Sequence, residues 1–224
     1  MDIDAFRHTL SGMFDDFPRS VLPAAPLLLS DVSGLPGLAE PNNLALLRAA
    51  AMALGPDEAY LEAGSHSGLS AVTVGNSCSS NLWILDDFSI VSRGPLDAAL
   101  AEHGLLERGE VVVGDALESI SGLVLPPVGL FYYDAAHDIR HTLLSLRAVR
   151  PLLAREALVI LDDLDFPSVE LAASVFVREN PSAELIMAID GKQKDAQGWW
   201  FGTAVIAWRS DRPGGTDGLS AGSR

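Results

Sequence analysis

From residue 59 onward, short apolar runs alternate with amphipathic stretches. The runs Ala59 to Glu62, Leu82 to Asp86, Glu110 to Val113, Val128 to Asp134, Ala157 to Asp162 and Glu184 to Ile189 have the length and near-continuous hydrophobicity of buried strands. The segments between them, around Leu69 to Val74, Pro95 to His103, Ala116 to Ile120, Ile139 to Leu153 and Val169 to Arg178, carry apolar residues at helical spacing. Such alternation implies right-handed crossovers and a mostly parallel sheet covered on both faces. After the sixth run a polar stretch, Gly191 to Gly198, leads straight into a further strand, Trp199 to Trp208, and so short a loop pairs strands antiparallel. The pattern predicts an α/β, doubly wound, mostly parallel seven-stranded sheet with a C-terminal antiparallel hairpin. Upstream, Asn42 or Asn43 is expected to cap a helix carrying Leu44, Leu47, Ala51 and Leu54, stopped by Gly55-Pro56.

Three divisions follow. Residues 1–40, punctuated by Pro18, Pro23, Pro26, Pro36 and Gly37, read as a short helix and an extended arm; residues 41–209 form the main domain; and the Gly, Ser, Asp and Pro tail of 210–224 is expected to be disordered. At 224 residues the chain is long enough for a core that needs no staples. Thirty acidic side chains against 15 basic ones give a formal charge of −15, which argues against a nucleic-acid partner, since binding phosphates takes a basic patch. A single cysteine, Cys78, excludes an internal disulfide and a cysteine-rich metal site. The N-terminus is acidic where a signal peptide would be basic, and the longest apolar runs, Val21 to Leu29 and Leu123 to Tyr133, fall short of the roughly 20 residues that span a bilayer and contain two prolines each. A cytoplasmic location without membrane attachment is expected. Homo-oligomerisation stays open, with the Pro-rich arm as a segment that could pack on a neighbouring subunit.

The acids are placed informatively. Five strands stop at or next to one: Glu62, Asp86, Asp115 (just past Gly114), Asp134 and the pair Asp162-Asp163. All are carboxyl ends, which share one rim of a doubly wound sheet, where ligands bind. Any one of them could simply cap the following helix. The first strand, turn and helix read Glu62-Ala63-Gly64-Ser65-His66-Ser67-Gly68, with two glycines to turn the backbone but no dinucleotide fingerprint. A carboxylate two residues before the first glycine would repel a pyrophosphate and favours a cationic cofactor. Asp86 offers paired acceptors that suit the two hydroxyls of a ribose.

Taken together, Glu62-x-Gly64-x-x-x-Gly68-x-Ser70-Ala71, Asp86, Gly114-Asp115-Ala116 and Tyr133-Asp134-Ala135-Ala136-His137, followed by a closing hairpin, resemble a class I S-adenosylmethionine-dependent methyltransferase over about residues 42 to 208. The resemblance implies a Rossmann-like sheet. It also implies that Glu62, Gly64 and Gly68, with Ser65 and His66 between them, line the methionine part of S-adenosylmethionine, that Asp86 binds its ribose, that Asp115 and Ala116 meet its adenine, and that Asp134 adjoins it. Many members of that family have glycine where this chain has His66, so the turn is expected to be wider or differently oriented.

Asp134 precedes Asp162 by 28 residues, enough for one crossover to an adjacent strand, so Asp134, Asp162 and Asp163 are expected to converge. Three carboxylates so close need a cation or shared protons, and oxygen ligands select a hard ion, with Mg²⁺ the preferred occupant. Asp134-Ala135-Ala136-His137 and Asp162-Asp163 resemble the motifs of metal-dependent O-methyltransferases of the catechol type and, more closely, of the macrocin type. This implies methylation of a small-molecule hydroxyl, with His137 as general base; the same histidine could instead orient a ligand. The alternatives are a non-catalytic cofactor-binding protein and an NAD-dependent oxidoreductase. Trp199, Trp200 and Phe201 read as core residues, and the loop with Lys192 and Lys194 as a candidate lid.

Overall fold

The computed structural model describes residues 1–17, 29–191, 198–199 and 201–210. The Pro18–Pro26 part of the arm, the Lys192 and Lys194 loop, Trp200 and the tail beyond Ser210 lie outside the described residues.

The elements follow the order α1 (Ile3–Gly12), α2 (Pro41–Met52), β1 (Ala59–Ala63), α3 (Leu69–Gly75), β2 (Leu82–Asp86), α4 (Gly94–Glu102), β3 (Gly109–Val113), α5 (Ala116–Ile120), β4 (Val128–Tyr133), α6 (Ile139–Val149), β5 (Leu153–Asp162), α7 (Pro167–Glu179), β6 (Ala183–Ile189) and β7 (Thr203–Arg209). The seven strands form one sheet in the order β3-β2-β1-β4-β5-β7-β6. β3, β2, β1, β4 and β5 are parallel, and β7 alone runs antiparallel, inserted between β5 and β6. The strand order reverses between β1 and β4, the position at which such sheets bind ligands. Among the described residues no helix is long and apolar enough to cross a membrane.

The two-residue period of the strands sends alternate side chains to opposite cores. Tyr60, Ile84, Leu130, Tyr132, Leu158 and Ile160 meet the helices of the N-terminal half, whereas Leu61, Leu85, Phe131, Tyr133, Val159 and Leu161 meet α6 and α7. Glu62 continues the Tyr60 row and Asp162 the Ile160 row, so both face the α2–α3 side.

The elements differ from the sequence pattern in three places. Neither Asn42 nor Asn43 caps α2: Glu40 is the N-cap, because Pro41 takes the first helical position with its fixed φ, and both asparagines are buried inside the first turn. The stretch expected as one helix to Leu153 ends at Val149, where Pro151 allows only a 3-10 turn, and β5 starts at Leu153 rather than Ala157. The last strand begins at Thr203, four residues after Trp199; Phe201 and Gly202 take positive φ and form a turn. Trp199 is buried against Phe14 and Phe17, and Phe201 is exposed.

Candidate active site

At the end of β1, Glu62 is fully buried, and its two oxygens accept from the Tyr60 hydroxyl at 2.9 Å and from the Ser70 hydroxyl. Burial raises its pKa to about 7. The chain then turns through Gly64 with φ 88°, where a Cβ would stand 2.0 Å from the Asp134 carbonyl oxygen, so only glycine lets β1 and β4 end this close together. His66 also takes a left-handed conformation, φ 51°. Asp86 ties the turn down: its Oδ2 accepts from the backbone N–H groups of Ser65 and His66, each at 2.8 Å, and its Oδ1 from that of Phe88 at 2.6 Å. Gly68 starts α3 and packs against Leu96. Asp115 caps α5 through the Glu118 N–H at 3.0 Å, so the capping role weighed from sequence is present here.

A cavity of about 510 Å³ opens above this rim. Gly64, Ser65, His66, Asp86, Asp115, Ala116, Asp134, His137, Asp162 and Asp163 all line it; Glu62 and Gly68 stand behind the lining, the one buried and the other against Leu96. Segment 36–40 closes one side. There the Ser67 hydroxyl donates to the Pro36 carbonyl at 2.7 Å, and Gly37 passes Leu69 so closely that a Cβ would meet the leucine side chain at 2.5 Å.

On the β4–β5 side the acids separate into two groups. Asp162, 7% exposed, has Oδ1 accepting from Asn43 Nδ2 and from the Asp163 N–H, each at 3.0 Å, and Oδ2 accepting from the Tyr132 hydroxyl at 2.5 Å. Asp163 breaks the strand with φ 56° and pairs with His137, Oδ2 to Nε2 at 2.6 Å. A nonglycine residue in this conformation stores strain of a kind that gathers at functional sites. Asp134, His137 and Asp163 each offer a ligand atom within 4.8 Å of the others. This is not the set expected from sequence: His137 joins Asp134 and Asp163, while Asp162 is held behind them.

Burial and the charges of Asp162, Asp163 and Glu62 push Asp134 well above the usual carboxylate range, and burial raises Asp162 to about 6. The Asp163 carboxylate raises the pKa of His137. Nε2 of His137 is shielded from solvent and faces Asp163 Oδ2 at 2.6 Å. The ring stacks on Phe166 at 4.6 Å, and its backbone carbonyl accepts from the Ser168 hydroxyl. The loop is further fixed by the Tyr133 and Thr142 hydroxyls, which donate to the Ala136 carbonyl at 2.8 and 3.1 Å.

The sequence pattern marks neither Tyr132 nor Asn43 as a site residue. Tyr132 carries a signal, lying two residues before Asp134 on the same strand face; Asn43 reads only as a cap.

Residues 61–164 match the family described as methyltransferase domain. No curated protein sequence matches the chain. Among solved structures, cofactor-bound Rv0187 from MTB is similar at TM-score 0.64 and 21% identity over 93% of this chain and 97% of that one. The O-methyltransferase from Bacillus cereus in complex with SAH gives 0.63 and 15% over 93% and 100%. SAH-bound methyltransferase PaMTH1 from Podospora anserina gives 0.61 and 15% over 92% and 88%. Residues 61–164 thus match a methyltransferase-domain model, and the sheet with its C-terminal antiparallel strand has the Rossmann-like fold of these solved structures.

Proposed function

We propose that the chain transfers the methyl group of S-adenosylmethionine to a hydroxyl of a small-molecule acceptor, a sugar or other natural product, assisted by a divalent ion such as Mg²⁺ and with His137 as base. One observation carries this: the cluster of Asp134, His137 and Asp163 lines the same cavity as the glycine turn after β1. Solved neighbours that hold SAH, one of them an O-methyltransferase, favour the cofactor and the oxygen acceptor.

For the cofactor, Glu62 would supply negative charge beneath an ammonium or sulfonium, Gly64, Ser65 and His66 would follow the methionine part, Asp86 the ribose, and Asp115 with Ala116 the adenine. For the ion, the fit rests on the donor set of Asp134, His137 and Asp163, and on charge: burial and the carboxylates of Asp162, Asp163 and Glu62 drive Asp134 toward its neutral form, which a divalent cation would relieve. Asp134 and Asp163 would hold it, with Asp162 adding charge from behind. When bound, such an ion supplies positive charge that lowers the pKa of a hydroxyl beside it.

The protein's own groups then have two tasks. His137 takes the hydroxyl proton at the ring nitrogen that does not face Asp163, and the Asp163 carboxylate steadies the imidazolium formed. The acceptor oxygen attacks the methyl carbon as the carbon–sulfur bond breaks; its electron pair stays on sulfur, S-adenosylhomocysteine leaves, and His137 returns its proton to solvent. The fixed 134–138 loop keeps these groups aligned.

The 2.6 Å pair of His137 and Asp163 favours a second version in which the two act as a base dyad without an ion. Thermal melts with S-adenosylhomocysteine and NAD side by side test the cofactor assignment. Stabilisation by S-adenosylhomocysteine is expected; stabilisation by NAD alone would overturn it in favour of an oxidoreductase.

A further inference from the structure

Asn43 occupies a position where the fold calls for an apolar side chain. It sits in the first turn of α2, 4% exposed, within a helix whose neighbouring Leu44, Ala45, Leu46 and Leu47 are all buried. Its Nδ2 donates to Asp162 Oδ1 at 3.0 Å across 119 residues of sequence, while its own Oδ1 is buried with no hydrogen-bond partner. A stranded amide oxygen costs stability that a leucine of similar volume would not. It does not cap the helix, since Glu40 holds that place. The one contact that accounts for a polar group here is the bond to Asp162.

That bond completes the cage around Asp162. With the Asp163 N–H on the same oxygen and the Tyr132 hydroxyl on the other, Asp162 meets only donors, although Asp134 and Asp163 crowd it with negative charge. Donors on both oxygens fix the plane of a carboxylate. Asn43 also lines the cavity, three residues after Glu40, the N-cap that ends the closing segment 36–40, so one continuous stretch of chain holds the glycine turn through Pro36 and reaches the acid cluster through Asn43.

We propose that Asn43 is a positioning residue: by donating to the Asp162 oxygen that also accepts from the Asp163 N–H, it holds that carboxylate and the turn at Asp163 in place behind the cluster, and thereby sets the affinity of the cluster for a divalent ion. This rests on the ion-assisted version of the function above.

The test is calorimetric titration of Mg²⁺ into the full chain saturated with S-adenosylhomocysteine, with Mn²⁺ binding followed by electron paramagnetic resonance as a second probe. Asn43→Leu is expected to weaken ion binding by about 10-fold or more, the range typical of groups that orient metal ligands. Affinity for S-adenosylhomocysteine should stay within about twofold, and the melting temperature should equal or exceed that of the parent, because the stranded carbonyl is gone. Asn43→Ala should weaken the ion in the same way. A purely structural role would lower the melting temperature and both affinities together, and that result, or unchanged ion affinity in both variants, would overturn the proposal. If the parent chain binds S-adenosylhomocysteine but neither ion, the ion-assisted version of the function fails, and this role fails with it.

Discussion

Asp162 and Asp163 are neighbours in the chain yet answer to different partners: Asp162 is caged by Asn43 and Tyr132, and Asp163 is turned by its left-handed backbone onto His137. A strand would send consecutive side chains to opposite faces and bury one of them among apolar groups. The break at Asp163 instead brings it to the cavity, where a movable proton and an acceptor oxygen can meet.

The His137 pair gives a direct spectroscopic prediction. Because the Asp163 carboxylate raises the pKa of His137, Asp163→Asn should lower it, so that the imidazole loses its proton at a lower pH in a nuclear magnetic resonance titration. The same variant should reduce methyl transfer by about 100-fold if proton removal depends on the pair. An unmoved titration would separate the two residues functionally.

Glu62 links stability to pH. Burial lifts its pKa from 4.5 to about 7, so the folded state holds this proton more tightly than the unfolded one. Its contribution to stability is complete below the unfolded value and is lost as pH rises through about 7, a difference of roughly 3 kcal/mol in the upper limit. Glu62→Gln should therefore raise the melting temperature relative to the parent at about pH 8 and far less at about pH 5. It should also weaken S-adenosylhomocysteine by roughly 10- to 100-fold, the loss expected for a hydrogen bond to a charged group.

Gly64→Ala places a Cβ 2.0 Å from the Asp134 carbonyl oxygen on a backbone with φ 88°. The ends of β1 and β4 must part, at a cost of more than about 2 kcal/mol. Denaturant melts should show this loss together with loss of S-adenosylhomocysteine binding.

Ion dependence separates the two versions of the chemistry. EDTA, or Asp134→Asn, should abolish turnover of a surrogate acceptor while calorimetry finds S-adenosylhomocysteine affinity within about threefold of the parent, since different groups would hold the two ligands. Full activity in EDTA would assign the reaction to the His137–Asp163 dyad alone.

The sheet was readable because strands buried on both faces are written as apolar runs, and the rim because each run stops at an acid, as at Leu85-Asp86 or Leu161-Asp162. What sequence could not supply was direction. Nothing in Asp162-Asp163 marks the second residue as left-handed, so the two were expected to act alike. Asn43 was legible only as a helix cap, because its partner lies 119 residues away and a long-range contact leaves no local period. The start of β7 was misplaced for a related reason: Trp199 is as apolar as a strand residue, but it serves the core beneath Phe14 and Phe17, and the turn at Phe201-Gly202 intervenes.

The reversed strand has an evolutionary corollary. β6 runs parallel with β5, so it finishes at the ligand-bearing rim, and β7, pointing the other way, sets out from that same rim. The connection from Ile189 to Thr203 starts and ends at that rim, and Phe201 within it lines the cavity. Changes in the length or sequence of that connection alter the wall at Phe201 while every rung of the sheet stays in place, so the mouth of the cavity is free to diverge independently of its floor.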